Sequence, residues 1–138
     1  MRYRICSGEN VIETTDLSGV DFGMAVVSDQ FLPAGGYADV QPVFRMKTDA
    51  TDVAGGGNDE AMLSEYRHRL DQLDLRVETA TGGPIPTGWI EISDFSVELG
   101  DDHPEAFQVS AHVTDLDALD AEHLREAKRA EHEWVERH

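Results

Sequence analysis

The chain has 138 residues, 40% of them hydrophobic, which is enough apolar material for one core and the right length for one domain, spanning residues 1–138. Its 28 Asp and Glu against 11 Lys and Arg give a formal net charge of -17. That balance excludes nucleic-acid binding through a broad basic face, which needs cations to displace phosphate counterions.

Residues 2–6 alternate, with Tyr3 and Ile5 on one side of a strand and Arg2, Arg4 and Cys6 on the other. Residues 7–10 carry turn chemistry, and residues 11–14 complete a hairpin. Residues 16–23 read as a loop freed by Gly19 and Gly23, and residues 24–28 as a short buried strand. Phe31, Leu32 and Pro33 lead out of the sheet.

From Ala34 the period changes. Tyr37, Val40 and Phe44 share one helical face, and Pro42 predicts a kink or a helix of about two turns. Residues 48–58, with Gly55, Gly56 and Gly57, predict a mobile loop. Asn58 is the expected N-cap of a second helix, with Asp59 and Glu60 in its first turn and a stripe of Met62, Leu63, Tyr66, Leu70 and Leu73.

Period two returns at residues 75–79, a half-buried strand, followed by a Gly-Gly-Pro turn region over residues 81–86. Residues 88–95 form the next strand, with Ile90 and Ile92 opposite Trp89, Glu91 and Ser93. After a loop over residues 100–104, Phe107, Val109, Ala111 and Val113 give the cleanest alternation in the chain. A helix over about residues 116–137, capped by Thr114 or Asp117, closes it with a stripe of Leu116, Leu119, Leu124, Ala127, Trp134 and Val135. The order β-β-β-α-α-β-β-β-α predicts a single α+β domain. Its mainly antiparallel sheet has about five or six strands, and the helices pack mostly on one face.

The first part of the chain carries a distinctive succession: Asp21, Gly23-Met24-Ala25-Val26, Phe31, Pro33, Tyr37 and Val40-Gln41-Pro42-Val43-Phe44-Arg45. It resembles small uncharacterised bacterial proteins with a Met-Gly-Val segment, a Phe-x-Pro step and a Tyr-x-x-Val-Gln-Pro-x-Phe helix. The likeness covers roughly residues 1–46 and, more faintly, Trp89-Ile90-Glu91-Ile92. Ala25 stands where the resemblance leads one to expect Gly, and Gly35-Gly36 is an added flexible step. No activity comes with the resemblance.

Motifs for chemistry are sparse. Gly55-Gly56-Gly57 lacks the Lys-Ser/Thr ending of a phosphate loop, and Gly82-Gly83-Pro84 opens no helix. No Gly-x-Ser-x-Gly elbow occurs, and no catalytic residue is assigned. Cys6 shares a strand face with Arg2 and Arg4, where cations would favour a thiolate, although a small residue ending an edge strand explains it more simply. A lone Cys builds neither a disulfide framework nor a zinc knuckle. Glu65, His68 and Asp71 share a helical face, as do His132 and Glu136, and Asp101-Asp102-His103 clusters in a loop. In so acidic a chain these are ordinary coincidences, so neither metal nor cofactor is expected. Residues on the polar side of the strands are the better binding candidates: Arg4, Arg76, Trp89, Glu91 and His112. An aromatic among charges of both signs suits recognition, while a solvated face of cross-strand ion pairs is the blander and stronger alternative.

The N-terminus lacks the apolar core of a signal peptide and no apolar run is long enough to span a membrane, so a soluble cytoplasmic bacterial-type protein is expected. The leading functional expectation is a non-enzymatic interaction or binding module for a basic protein, in the manner of an immunity protein or a nucleic-acid mimic. A small hydrolase or ligand-binding enzyme using the polar sheet face is the alternative, and requires His112 to meet Glu91 in a pocket. Adaptation to high salt is a third reading, from 15 Asp, 13 Glu and two Lys. A homodimer through Trp89 or Trp134 is also expected, since two-fold dimers are the commonest soluble oligomers.

Charge repulsion between so many acids is screened over about 10 Å at roughly 0.1 M ionic strength and about 3 Å at roughly 1 M. Surface ion pairs weaken under the same screening, but each contributes only about 0–1 kcal/mol. The melting temperature is therefore expected to rise as sodium chloride goes from low to moderate concentration. A steady fall, followed by calorimetry, means that ordered pairs outweigh the net charge.

Overall fold

The computed structural model describes residues 1–51 and 57–137. The opening alternation folds as an antiparallel hairpin of β1 (Tyr3–Ser7) and β2 (Asn10–Thr15), turned by Gly8 at φ 58°. The remaining strands are β3 (Gly19–Asp21), β4 (Val26–Gln30), β5 (Leu32–Pro33), β6 (Leu75–Thr79), β7 (Pro84–Ile85), β8 (Thr87–Asp94) and β9 (Phe107–Val113). They form two antiparallel sheets, ordered β5-β2-β1-β6-β7 and β3-β4-β9-β8. The helices are α1 (Tyr37–Ala50), α2 (Glu60–Gln72), the single turn α3 (Ser96–Leu99) and α4 (Ala121–Arg137).

The result is a single α+β domain, and its longer elements follow the expected order. Among the described residues, nine strands in two sheets replace the expected single sheet of five or six. The additional strands, β3, β5 and β7, have two or three residues each, too few to show an alternation. Pro33 and Pro84 lie in outermost strands, where a missing N–H leaves no ladder bond unmade.

One core joins both sheets and α1. Tyr3, Ile5, Ile12, Val77 and Ile85 from the five-stranded sheet pack in the same cluster as Val27, Ile92, Val109, Ala111 and Val113 from the other. Tyr37, Val40 and Phe44 of α1, with Leu17, Phe31 and Leu119, complete it. α1 packs on β8, β2 and α2.

Two turns need their backbone. A Cβ at Gly36, which precedes α1, would lie 2.9 Å from the Val11 carbonyl oxygen. Ala25 adopts φ 55°, a left-handed conformation in which Gly escapes the Cβ penalty.

Pro42 does not shorten its helix. It removes one intrahelical bond, a loss of about 3 kcal/mol in a helix interior, yet α1 runs on to Ala50. Burial of Val43 and Phe44 and the bonds that Arg45, Lys47 and Thr48 make outside the helix hold the later turns. Of the predicted loop over residues 48–58, residues 48–50 are therefore helical, and residues 52–56 lie outside the described residues. The cap of α2 is Asp59 rather than Asn58: its Oδ1 accepts from the Met62 amide at 3.0 Å.

The last element also starts later than expected. A 3-10 turn, Leu116–Ala118, is capped by Asp115; the chain then extends at Leu119, and Asp120 caps α4 by accepting from the Glu122 and His123 amides. Leu119 is buried, whereas Trp134 and Val135 at the far end are exposed. His123 is buried in α4, where the Tyr3 hydroxyl bonds its Nδ1 at 2.7 Å and accepts from the Asp120 amide at 2.9 Å. Burial, with Arg2 nearby, lowers the tendency of the His123 ring to protonate. Nε2 makes no hydrogen bond, although the Leu17 carbonyl lies close enough to act weakly the other way.

Glu13 is the exception to amphipathic order. A bulge between Ile5 and Cys6 inserts Ile12 in β2, so that Glu13 pairs with Ile5, and both Ile12 and Glu13 are buried. Neither carboxyl oxygen of Glu13 has a hydrogen-bond partner, and burial pushes its pKa well above the ordinary carboxylate range. A raised folded-state pKa means that stability is complete below the unfolded value near 4.5 and is lost as pH rises through the folded value. Glu13→Gln removes the titration while keeping the side-chain shape. The variant is expected to lose less stability than the parent between acid and alkaline pH, measured by urea unfolding across the range. Parallel profiles of parent and variant would place the titration elsewhere.

Candidate functional site

The five sequence-selected residues divide between the two sheets. Arg4 and Arg76 lie in the five-stranded sheet, where Arg4 Nε binds Glu78 at 2.9 Å and Arg76 binds the Gly8 carbonyl at 2.5 Å and Asp74 at 3.3 Å. Trp89, Glu91 and His112 lie in the four-stranded sheet. Trp89 is paired with His112 in register, with rings stacked at 6.3 Å, and a Cβ at Gly88 would meet His112 Nδ1 at 2.5 Å. Glu91 instead binds Lys47 at 3.1 Å. They do not form the common polar face expected of them, because alternation assigns a side chain to a face but not to a sheet.

Cys6 differs from expectation too. It is buried against Glu78, at 3.5 Å, and burial together with that carboxylate pushes its thiol pKa up despite Arg4 and Arg76. Glu65 binds Arg69 at 2.8 Å, and His132 binds Glu136 at 3.0 Å. Among the described residues, no group of three His, Cys, Asp or Glu side chains is placed to hold a metal.

The structure builds its most developed surface feature at the end of β8, around a residue the sequence reading passed over. Asp94 is fully buried. Its Oδ2 accepts from the Tyr37 hydroxyl at 2.6 Å and the Gln41 amide at 2.9 Å, and its Oδ1 from the Ser96 amide at 2.9 Å and hydroxyl at 2.6 Å. Burial opposes ionisation, but these donors outweigh it and hold the carboxyl below its ordinary pKa. Tyr37 responds in the opposite sense: burial and the adjacent carboxylate push its phenol strongly up, so it remains the donor.

The same residue offers its carbonyl to α1. Arg45 donates to it at 2.8 Å and Thr48 at 2.9 Å, while Lys47 takes the Ile92 carbonyl at 3.0 Å. Three side chains of α1 thus cap backbone acceptors of β8, an outermost strand. Arg45 also grips Glu98 in α3 through both carboxylate oxygens, at 2.6 and 2.8 Å, and holds its pKa down.

Held this way, α3 turns apolar side chains outward. Phe95 is 38% exposed, Val97 75% and Leu99 43%. Two clefts flank the turn and share Phe95 and Glu98. One, of about 460 Å³, is lined by Lys47, Thr48, Thr51, Glu91 and Ser93; the other, of about 420 Å³, by Leu99, Glu105 and Gln108. Both fall in the size range of ligand-binding clefts.

Two signals in the sequence pointed here. Asp94 and Gly100 bracket one helical turn, an Asp whose side chain accepts from the Ser96 amide before it and a Gly at φ 89° after it. Between Arg76 and Arg125 there is no Lys or Arg at all, against 11 Asp and Glu. No protein-family model matches the chain, and neither a curated protein nor a solved structure matches it significantly.

The bonds to Asp94 set a measurable cost. Tyr37→Phe deletes one charge-assisted hydrogen bond to a buried carboxylate and is expected to destabilise the fold by about 1.5–3 kcal/mol. Because the Asp94 pKa is depressed, its contribution is present above about 3.8 and lost as pH falls through the folded value. The deficit of the variant should therefore shrink in acid, read from denaturant midpoints at two pH values. A deficit that does not change with pH would separate Tyr37 from the Asp94 charge.

Proposed function

We propose that the protein is a soluble, cytoplasmic, non-enzymatic interaction module whose partner is a basic protein. The observation that carries this reading is the stretch from Val77 to Leu124, which builds most of β6 and all of β7, β8, α3 and β9 with 11 acids and no Lys or Arg. Cations that face it from elsewhere are engaged in ion pairs: Arg4 and Arg76 by Glu78, Lys47 by Glu91, Arg45 by Glu98 and Asp49, and Arg2 by Glu126. The remaining acids keep their field for an external partner, for which electrostatic steering raises the association rate and suppresses like-charged competitors. No helix among the described residues is long and apolar enough to cross a membrane.

The test is affinity capture from native lysate at low ionic strength, followed by a salt gradient and identification of each eluted protein. The expected result is a bound protein of high isoelectric point whose release tracks rising salt. A captured set with no bias toward basic proteins, or one indifferent to salt, would defeat the reading.

A further inference from the structure

We infer that α3 is the anchoring point of that interface, and that it docks a segment of the partner carrying an aliphatic or aromatic side chain flanked by Lys or Arg. This rests on the basic-partner reading above and adds its place and its chemistry. Nine large hydrophobic side chains are exposed among the described residues, and three of them, Phe95, Val97 and Leu99, fall within five consecutive positions. Such concentration is what a docking surface needs and a solvated turn does not.

The turn is also fixed in advance. Asp94 holds the Ser96 amide and hydroxyl, the Phe95 amide donates to Ala106 at 2.7 Å, and Arg45 clamps Glu98. An apolar patch on a rigid support loses little conformational entropy when a partner arrives. The clefts on either side of Phe95 are large enough to admit a side chain beyond the patch itself.

Charge selects the occupant. Glu98 and Glu105 line the cleft beside Phe95 and Leu99, and between them the sequence adds Asp101 and Asp102 with no Lys or Arg. A second copy of this chain would bring the same acids face to face, and an anionic bilayer would be repelled by them. A basic segment with an apolar anchor satisfies both features at once, its cations meeting Asp101, Asp102 and Glu105 while its anchor covers Val97 and Leu99.

The experiment uses three labelled synthetic peptides against the full chain: alternating Lys and Leu, oligolysine, and alternating Glu and Leu. Binding is read by fluorescence anisotropy and mapped by amide chemical shifts. The Lys-Leu peptide is expected to bind, to shift amides over residues 95–108, and to weaken about tenfold in the double variant Val97→Ser, Leu99→Ser. Both positions are exposed, so the melting temperature of the variant should stay at the parent value, and oligolysine binding should not change. Equal affinity of the Lys-Leu peptide for parent and variant overturns the inference while leaving a basic partner elsewhere on the surface. Failure of both cationic peptides to bind removes the basic-partner reading as well. Binding of the Glu-Leu peptide as tightly as the Lys-Leu peptide overturns the charge argument.

Discussion

A carboxylate taken out of water must be given donors, and Asp94 receives its donors from two helices that follow different strands. Tyr37 and Gln41 reach it from α1, and Ser96 reaches it from α3. Its own carbonyl is bonded by Arg45 and Thr48. Any shift of α1 against β8 would strip partners from a buried charge, a loss that in proteins typically amounts to about 3–5 kcal/mol. That constraint explains why α1 persists through Pro42, why β8 does not offer all its backbone acceptors to other strands, and why a helix of a single turn stands in one place.

The other buried ionisable groups are resolved differently. Glu13 has no donors, so burial drives it toward its neutral form. His123 keeps one ring nitrogen bonded to Tyr3, and this contact ties α4 to β1 across 120 positions of sequence. Of these three groups, Asp94 is the one whose surroundings favour its charge. The donors that converge on its carboxylate offset its burial, whereas Glu13 is buried without any.

The acidity of the protein is likewise uneven in its consequences. Where cations exist near the sheets they are consumed in internal pairs, as at Arg4 with Glu78 and Lys47 with Glu91. Around α3 one acid, Glu98, is matched by Arg45, while Asp101, Asp102 and Glu105 follow with no Lys or Arg in that segment. Apolar exposure and unbalanced charge therefore meet on a rigid element, the combination from which specific recognition is assembled.

Local pattern by itself determined the type and order of the longer elements. Residues 75–79 form the strand their alternation predicts, and Phe107–Val113 does so with Val109, Ala111 and Val113 inward, because a half-buried strand imposes period two on its own residues. Net charge was equally legible. The partition into two sheets was not, since β1 meets β6 and β4 meets β9 through pairings of distant segments, and nothing within a strand names its neighbour. For the same reason Arg4 and Arg76 separated from Trp89, Glu91 and His112, and a bulge in β2 carried Glu13 inward against its pattern. Asp94 looked like any other acid in the sequence. It became the organising residue only when Tyr37, Gln41 and Ser96 converged on it, because the state of a buried charge is set by neighbours that the fold alone brings together.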